Sequence, residues 1–216
     1  MGQRNHTTPP QAADREQRSD ESRTRILKAA TRIFAEKGPE GARVDEIAEQ
    51  AGINKRMLYH YFGSKENLYL EVLRYNYNKI YTLSKNAIDS ADEPRVNVAR
   101  AIRSYFYFLA GNEAFVRLTS WEALGGGRFG GKLFPQFFAL IELEFDDIIK
   151  DGIERGCIRP DIDIRQAILS VHALCLVYFT QRNIVQSLWR EDMFSEEMLE
   201  ACLQHILNLI FDGIFI

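Results

Sequence analysis

The stretch from Ala42 to Lys65, ARVDEIAEQAGINKRMLYHYFGSK, restricts the fold of this chain more than any other. Val44, Ile47, Ala48 and Ala51 recur at helical spacing, so one face of a short helix is buried. Gly52 follows at once, and glycine is the residue that adopts the left-handed conformation ending a helix abruptly. Ile53 is an apolar plug, and Asn54 can cap a second helix running from Lys55 to about Phe62. That helix buries Leu58 and Phe62, four residues apart. Its other face carries Lys55, Arg56, Met57, Tyr59, His60 and Tyr61. Bases meet phosphates, tyrosine hydroxyls reach phosphates or base edges, and a helix of this width fits the major groove. Two helices on a tight turn, the second with such a face, read as a helix-turn-helix whose second helix reads DNA. An ordinary helical hairpin with a sticky surface is the plainer alternative.

The surrounding residues carry a resemblance. Arg25 to Leu73 contains I-L-x-A-A-x-x-x-F-A-x-x-G, then I-A-x-x-A-G-I, then L-Y-x-Y-F-x-S-K-E-x-L. This segment resembles the DNA-binding domain of TetR-type (tetracycline-repressor-like) transcriptional regulators. The remaining two thirds match that family only in length and helical character. The resemblance implies an all-α fold with a three-helix helix-turn-helix domain and a C-terminal helical domain for ligand binding and dimerisation. It implies a homodimeric, ligand-controlled repressor on a near-palindromic operator, and it carries DNA contacts onto Arg43, Lys55, Met57, Tyr59, Tyr61 and Lys65. Tyr59 and Lys65 match the family's phosphate-contacting positions. Relatives commonly place Ser or Thr where this chain has Arg43-Val44, which leaves the usual hydroxyl contact without a donor. With Asn54, Arg56 and His60 from the residue reading, these form the candidate DNA-contacting set.

Charge partition agrees with that division. Net charge is −3; residues 1–66 hold 12 Lys+Arg against 10 Asp+Glu, and residues 67–216 hold 15 against 20. The basic excess sits with the helix-turn-helix but is small, so specific contacts must carry much of the DNA affinity. Three widely spaced cysteines, Cys157, Cys175 and Cys202, read as free thiols in a reducing cytoplasm. No stretch reaches 18 consecutive apolar residues, and no membrane association is expected.

About nine helices are expected in three regions: a disordered tail at 1–19, the helix-turn-helix domain at 20–66, and an effector and dimerisation domain at 67–216. The fourth helix, from a Ser64 cap to about Asp89, outruns the small module and is the expected mechanical link. Asp92-Glu93-Pro94 opens the next helix, whose Tyr105-Phe106-Tyr107-Phe108 run faces every side, so near-complete enclosure is expected. Asn112 is the expected cap of the helix after it. Two apolar helices, about 163–189 and 195–211, suit a two-fold four-helix interface, with Leu203 and Ile206 as its probes.

Several motifs are weaker than they look. Gly126-x-x-x-x-Gly131-Lys132 fits the start of a phosphate-binding loop, but Leu133 replaces the Mg²⁺-ligating hydroxyl and no strand precedes it. A flexible loop that could gate a pocket is the better reading. Glu144, Asp147 and Asp151 share a helix face with no histidine nearby and read as a solvated face rather than a metal or acid–base site. The four histidines show no metal-ligand spacing, so neither metal nor cofactor is expected. No complete catalytic set occurs, which argues against an enzyme; a DNA-bridging protein without effector remains the alternative function. Aromatic excess in the segments that would enclose a cavity points to a largely apolar, ring-containing effector. Its candidate contacts are Tyr105, Phe106, Trp121, Arg128, Phe138, His172 and Tyr178, in a cavity of roughly 300 Å³ or more.

Overall fold

The computed structural model describes residues 10–89 and 91–214. Residues 1–9 of the expected tail lie outside them. Ten α-helices are present among the described residues, grouped in two compact units that divide at Val72/Leu73.

The first unit holds α1 (Pro10–Gly41), α2 (Val44–Ala51), α3 (Lys55–Phe62) and the start of α4 (Lys65–Asn86). α1 begins at Pro10, inside the segment expected to be a disordered leader. Gly38 breaks α1 near its end: its φ of 72° and ψ of 171° are non-helical, and Pro39 restarts a short turn. Ile26, Ala30, Phe34, Ile47, Leu58 and Leu68 are buried in the core of this unit, with the Phe34 and Tyr69 rings edge to face at 4.9 Å.

The second unit holds the rest of α4 and the helices α5 (Pro94–Gly111), α6 (Glu113–Leu124), α7 (Gly130–Glu154), α8 (Ile164–Thr180), α9 (Arg182–Trp189) and α10 (Glu196–Ile214). Pro94 occupies the first turn of α5, where its missing N–H costs nothing. The buried Asn97 amide ties the α4–α5 connection, accepting from the N–H of Asp89 and donating to its carbonyl.

Four expectations are corrected here. α5 is not fully enclosed: Tyr107 is 37% exposed, and its hydroxyl donates to Glu200 beside the Arg103–Glu200 ion pair. Asn112 stands at the N-cap position of α6 but supplies no side-chain cap; its amide donates back to the Phe108 carbonyl and closes the end of α5. The expected helix over 163–189 is two, because the polar run Thr180-Gln181-Arg182-Asn183 interrupts the apolar pattern and α8 and α9 meet at 68°. Arg182 at the break pairs with Glu113 at 2.8 Å. Leu203 and Ile206 are buried in the chain's own core at 0% and 3% exposure, so neither can report on an interface. No single helix among the described residues is long and apolar enough to cross a membrane.

Candidate functional site

α2 and α3 owe their mutual geometry to two caps. Gly52 sits at φ 64°, ψ 39°, and the Ile53 N–H donates to the Ala48 carbonyl, so α2 stops within one residue. Asn54 Oδ1 accepts from the Met57 N–H at 2.8 Å and starts α3. Asn54 is thus occupied in capping. Leu58 and Phe62 lock α3 inward. Lys55, Arg56, Met57, Tyr59 and His60 are exposed and Tyr61 is half-buried, so the face of α3 read from the sequence is the free one. Arg43 is exposed at the α2 N-cap position and supplies no side-chain cap. Asp45 and Glu46 complement the positive end of α2.

Two lysines behave differently from Arg56. Lys55 pairs with Asp45 at 2.9 Å, and that hydrogen bond raises the lysine's pKa. Lys65 Nζ donates to the carbonyls of Glu40 and Ala42, both at 3.1 Å. Lys65 therefore clamps the turn in front of α2 to the start of α4, where Ser64 Oγ caps the helix by accepting from the Asn67 N–H.

A cavity of about 140 Å³ lies inside the second unit, lined from α4, α5, α6, α7, α8 and α10. It is smaller than the roughly 300 Å³ expected of a drug-sized ligand site. Its walls include Tyr77, Ile80, Ile102, Phe115, Phe134 and Phe137, and no lining residue is Lys, Arg, Asp or Glu. Of the seven residues anticipated here, Tyr105, Phe138 and His172 line it. The other four do not. Phe106 is fully buried against Phe179, and the Tyr178 hydroxyl donates to the Met193 carbonyl. Arg128 lies over the ring of Phe129, and Trp121 is half-buried on α6. The stripe Phe134, Phe138, Ile141, Phe145 and Ile149 on α7 supplies much of the wall. Its spacing of three and four was visible in the sequence, but such a stripe reads equally as core packing.

The one polar cluster that is hydrogen-bonded within this wall is Tyr105 and His172, joined at 2.7 Å between the hydroxyl and Nδ1. Burial lowers the His172 pKa and raises that of Tyr105, so both are neutral at pH 7. Tyr77 is pushed up to about 12, by burial first and then by the nearby Glu122 carboxylate. Glu122 itself is buried and accepts from the N–H groups of Phe129 and Gly130, so the Gly-rich connection is fastened to the start of α7 rather than loose. α7 accordingly begins at Gly130, and Gly126–Lys132 follows a helix, not a strand.

Two of the three α7 carboxylates sit in ordinary pairs. Glu144 accepts from Tyr81 at 2.9 Å, and Asp151 pairs with Arg155. No cluster of metal-ligating side chains occurs among the described residues. The cysteines are free; burial pushes Cys175 up to about 12 and Cys202 to about 11. Both are inert thiols.

Comparison with known proteins covers both units. Residues 26–72 match the family described as bacterial regulatory proteins, tetR family, and residues 94–210 match the tetracyclin repressor-like C-terminal domain. The HTH-type transcriptional repressor NicS of Pseudomonas putida is 30% identical over 205 residues, covering 93% of this chain and 95% of that protein. The repressor KstR2 of Mycobacterium tuberculosis is 29% identical over 148 residues, covering 66% of this chain and 72% of its own. The crystal structure of FadR from Bacillus subtilis in complex with stearoyl-CoA superposes with a TM-score of 0.71 at 23% identity, covering 88% of this chain and 98% of that one. At that identity the last likeness is one of fold.

Proposed function

The chain belongs to the tetR family of bacterial regulatory proteins, and from that membership we propose how this ligand-responsive transcriptional regulator works. Residues 20–66 form the DNA-binding head and residues 67–216 the effector and dimerisation domain. As a homodimer the protein represses from a near-palindromic operator, placing α3 of each protomer in successive major grooves. The observation that carries this reading is the free face of α3, with Lys55, Arg56, Met57, Tyr59 and His60 exposed. Lys55 and Met57 set sequence preference; Tyr59 and Arg43 meet phosphates. Lys55 must leave Asp45 to reach a base edge, so that exposed pair is a weak restraint rather than a barrier.

The dimer forms through α8, α9 and α10. Support comes from large apolar side chains left uncovered on them: Leu169, Val177, Ile184, Leu188, Trp189 and Leu209 are each about half exposed or more. A largely apolar small molecule in the second unit favours a conformer with lower operator affinity, transmitted along α4, which supplies Tyr77 and Ile80 to the cavity. This cavity favours an effector-controlled regulator over the alternative of a bridging protein without a ligand. The protein acts in the cytoplasm, where its operator is, and has no catalytic role. Fluorescence anisotropy with DNA from upstream of its own gene tests the reading. Nanomolar binding that is lost in Tyr59→Ala and Arg56→Ala supports it, and equal affinity of wild type and both variants refutes it.

A further inference from the structure

We infer that the effector is an uncharged single-ring molecule bearing one hydrogen-bonding group, anchored by the Tyr105–His172 pair. The inference rests on the proposal that this cavity is the effector site.

Three observations converge. The first is size. A cavity of about 140 Å³ is close to the ~150 Å³ engineered apolar cavity that holds a benzene ring. The second is the wall beside the pair. Phe134 lies 6.3 Å from the His172 ring and 5.9 Å from Phe138, and Tyr77 lies 5.8 Å from Phe134 and 5.4 Å from Phe137. These separations are those of stacked and edge-on aromatic contacts, so a further ring fits the pattern.

The third is proton counting at the anchor. If the Tyr105 hydroxyl donates to Nδ1, the neutral imidazole keeps its proton on Nε2, which is then a donor, and the tyrosine oxygen can accept. If instead Nδ1–H donates to the tyrosine oxygen, the hydroxyl proton is free and Nε2 accepts. In either arrangement one donor and one acceptor are left over. A neutral hydroxyl, carbonyl or amide satisfies them. With no cationic side chain in the lining, an ionised carboxylate would enter without a counter-charge.

The test uses three probes of one shape, toluene, p-cresol and p-toluate, titrated calorimetrically into the full-length protein. A hydroxyl carried into an apolar cavity without a partner loses affinity by tenfold or more, on the order of the cost of an unsatisfied polar group. The inference therefore expects p-cresol to bind at least as tightly as toluene, and p-toluate not at all. The variant is Tyr105→Phe/His172→Leu, which removes both partners together and leaves neither unpaired. In it, toluene binding should persist while p-cresol falls about tenfold below toluene; persisting toluene binding also shows that the variant is folded. If p-cresol is already tenfold weaker than toluene in wild type, or p-toluate binds as tightly as p-cresol, the anchor is wrong and the cavity proposal stands. If none of the three binds, both fail.

Discussion

Lys65 and Tyr59 both match phosphate-contacting positions of the family pattern, yet their surroundings in the folded chain differ, and Lys65→Met exposes the difference. In the folded chain Lys65 Nζ donates to the carbonyls of Glu40 and Ala42. Ala42 is itself buried, so its carbonyl cannot exchange the lysine for water without local opening. A hydrogen bond from a charged donor contributes about 1.5–3 kcal/mol when buried and less when wet. One of these two is exposed, so the pair should contribute about 2 kcal/mol in all. Methionine keeps the length and apolar stem of lysine and removes only the donor. Urea denaturation should show Lys65→Met less stable by about 2 kcal/mol, whereas Tyr59→Phe at a 41% exposed position should stay within about 0.5 kcal/mol of wild type. DNA binding should fall in both, for different reasons. A lysine that neutralises a phosphate contributes about one unit to the salt slope of the binding constant, whereas a neutral tyrosine contributes none. If Lys65 acts by positioning, Lys65→Met weakens binding and leaves that slope unchanged. A variant of wild-type stability whose salt slope drops by one would refute the clamp and return Lys65 to the phosphates.

The proposed dimer surface is best probed where the folded chain leaves apolar side chains uncovered. Leu209→Arg, at a 49% exposed position, should yield a folded monomer by light scattering, and a dimer of unchanged stability would exclude α10 from the interface. Gly152 packs so closely on the buried Ile158 that a Cβ would meet its Cδ1 and would lie 2.7 Å from Cγ1. Gly152→Ala should therefore destabilise by about 1–3 kcal/mol, with partial recovery in Gly152→Ala/Ile158→Ala; no loss would mean that α7 yields at that point. The Glu200 carboxyl is held at about 2, below its ordinary 4.5, by hydrogen bonds from Arg103, Gln204 and Tyr107. A depressed pKa gives stability that is full above 4.5 and lost as pH falls towards 2, so Glu200→Gln should flatten the acid limb of the stability curve across that window. An acid limb identical to wild type would show the cluster to be too solvated to matter.

The head was legible in the sequence because each decisive residue there has one physical reading. Gly52 can take the left-handed turn, Asn54 can cap, and Leu58 and Phe62 four residues apart can only point inward. The second unit was less legible because its helices are apolar on more than one side. Leu203 and Leu209 are both leucines on α10, and only packing makes one core and the other surface. The same ambiguity split the anticipated pocket set. Phe106 and Tyr105 are neighbours on α5, one fully buried against Phe179 and the other facing the cavity. Lys65 shows a different limit. A lysine in a DNA-reading motif suggests a phosphate, and nothing local reveals that two carbonyls more than twenty residues earlier lie within its reach.

The small size of the cavity does not weaken its claim as a control point. Burying the 150–250 Å² of one aromatic ring at ~25 cal/mol per Å² gives roughly 4–6 kcal/mol of gross favourable energy. Regulatory coupling between two sites is typically about 1–3 kcal/mol, a 5- to 150-fold change in affinity. A ligand shifts an equilibrium only by the difference between its affinities for the two conformers. So the DNA-competent conformer need lose no more than about half of the ring's contacts for control to be effective. The Tyr77, Phe134 and Phe137 cluster is suited to that role. Tyr77 of α4 lies 5.8 Å from Phe134 and 5.4 Å from Phe137, both on α7. A modest displacement of one helix would part the rings and remove that fraction of the wall. Control by a single ring then requires a shift of packing rather than a large pocket.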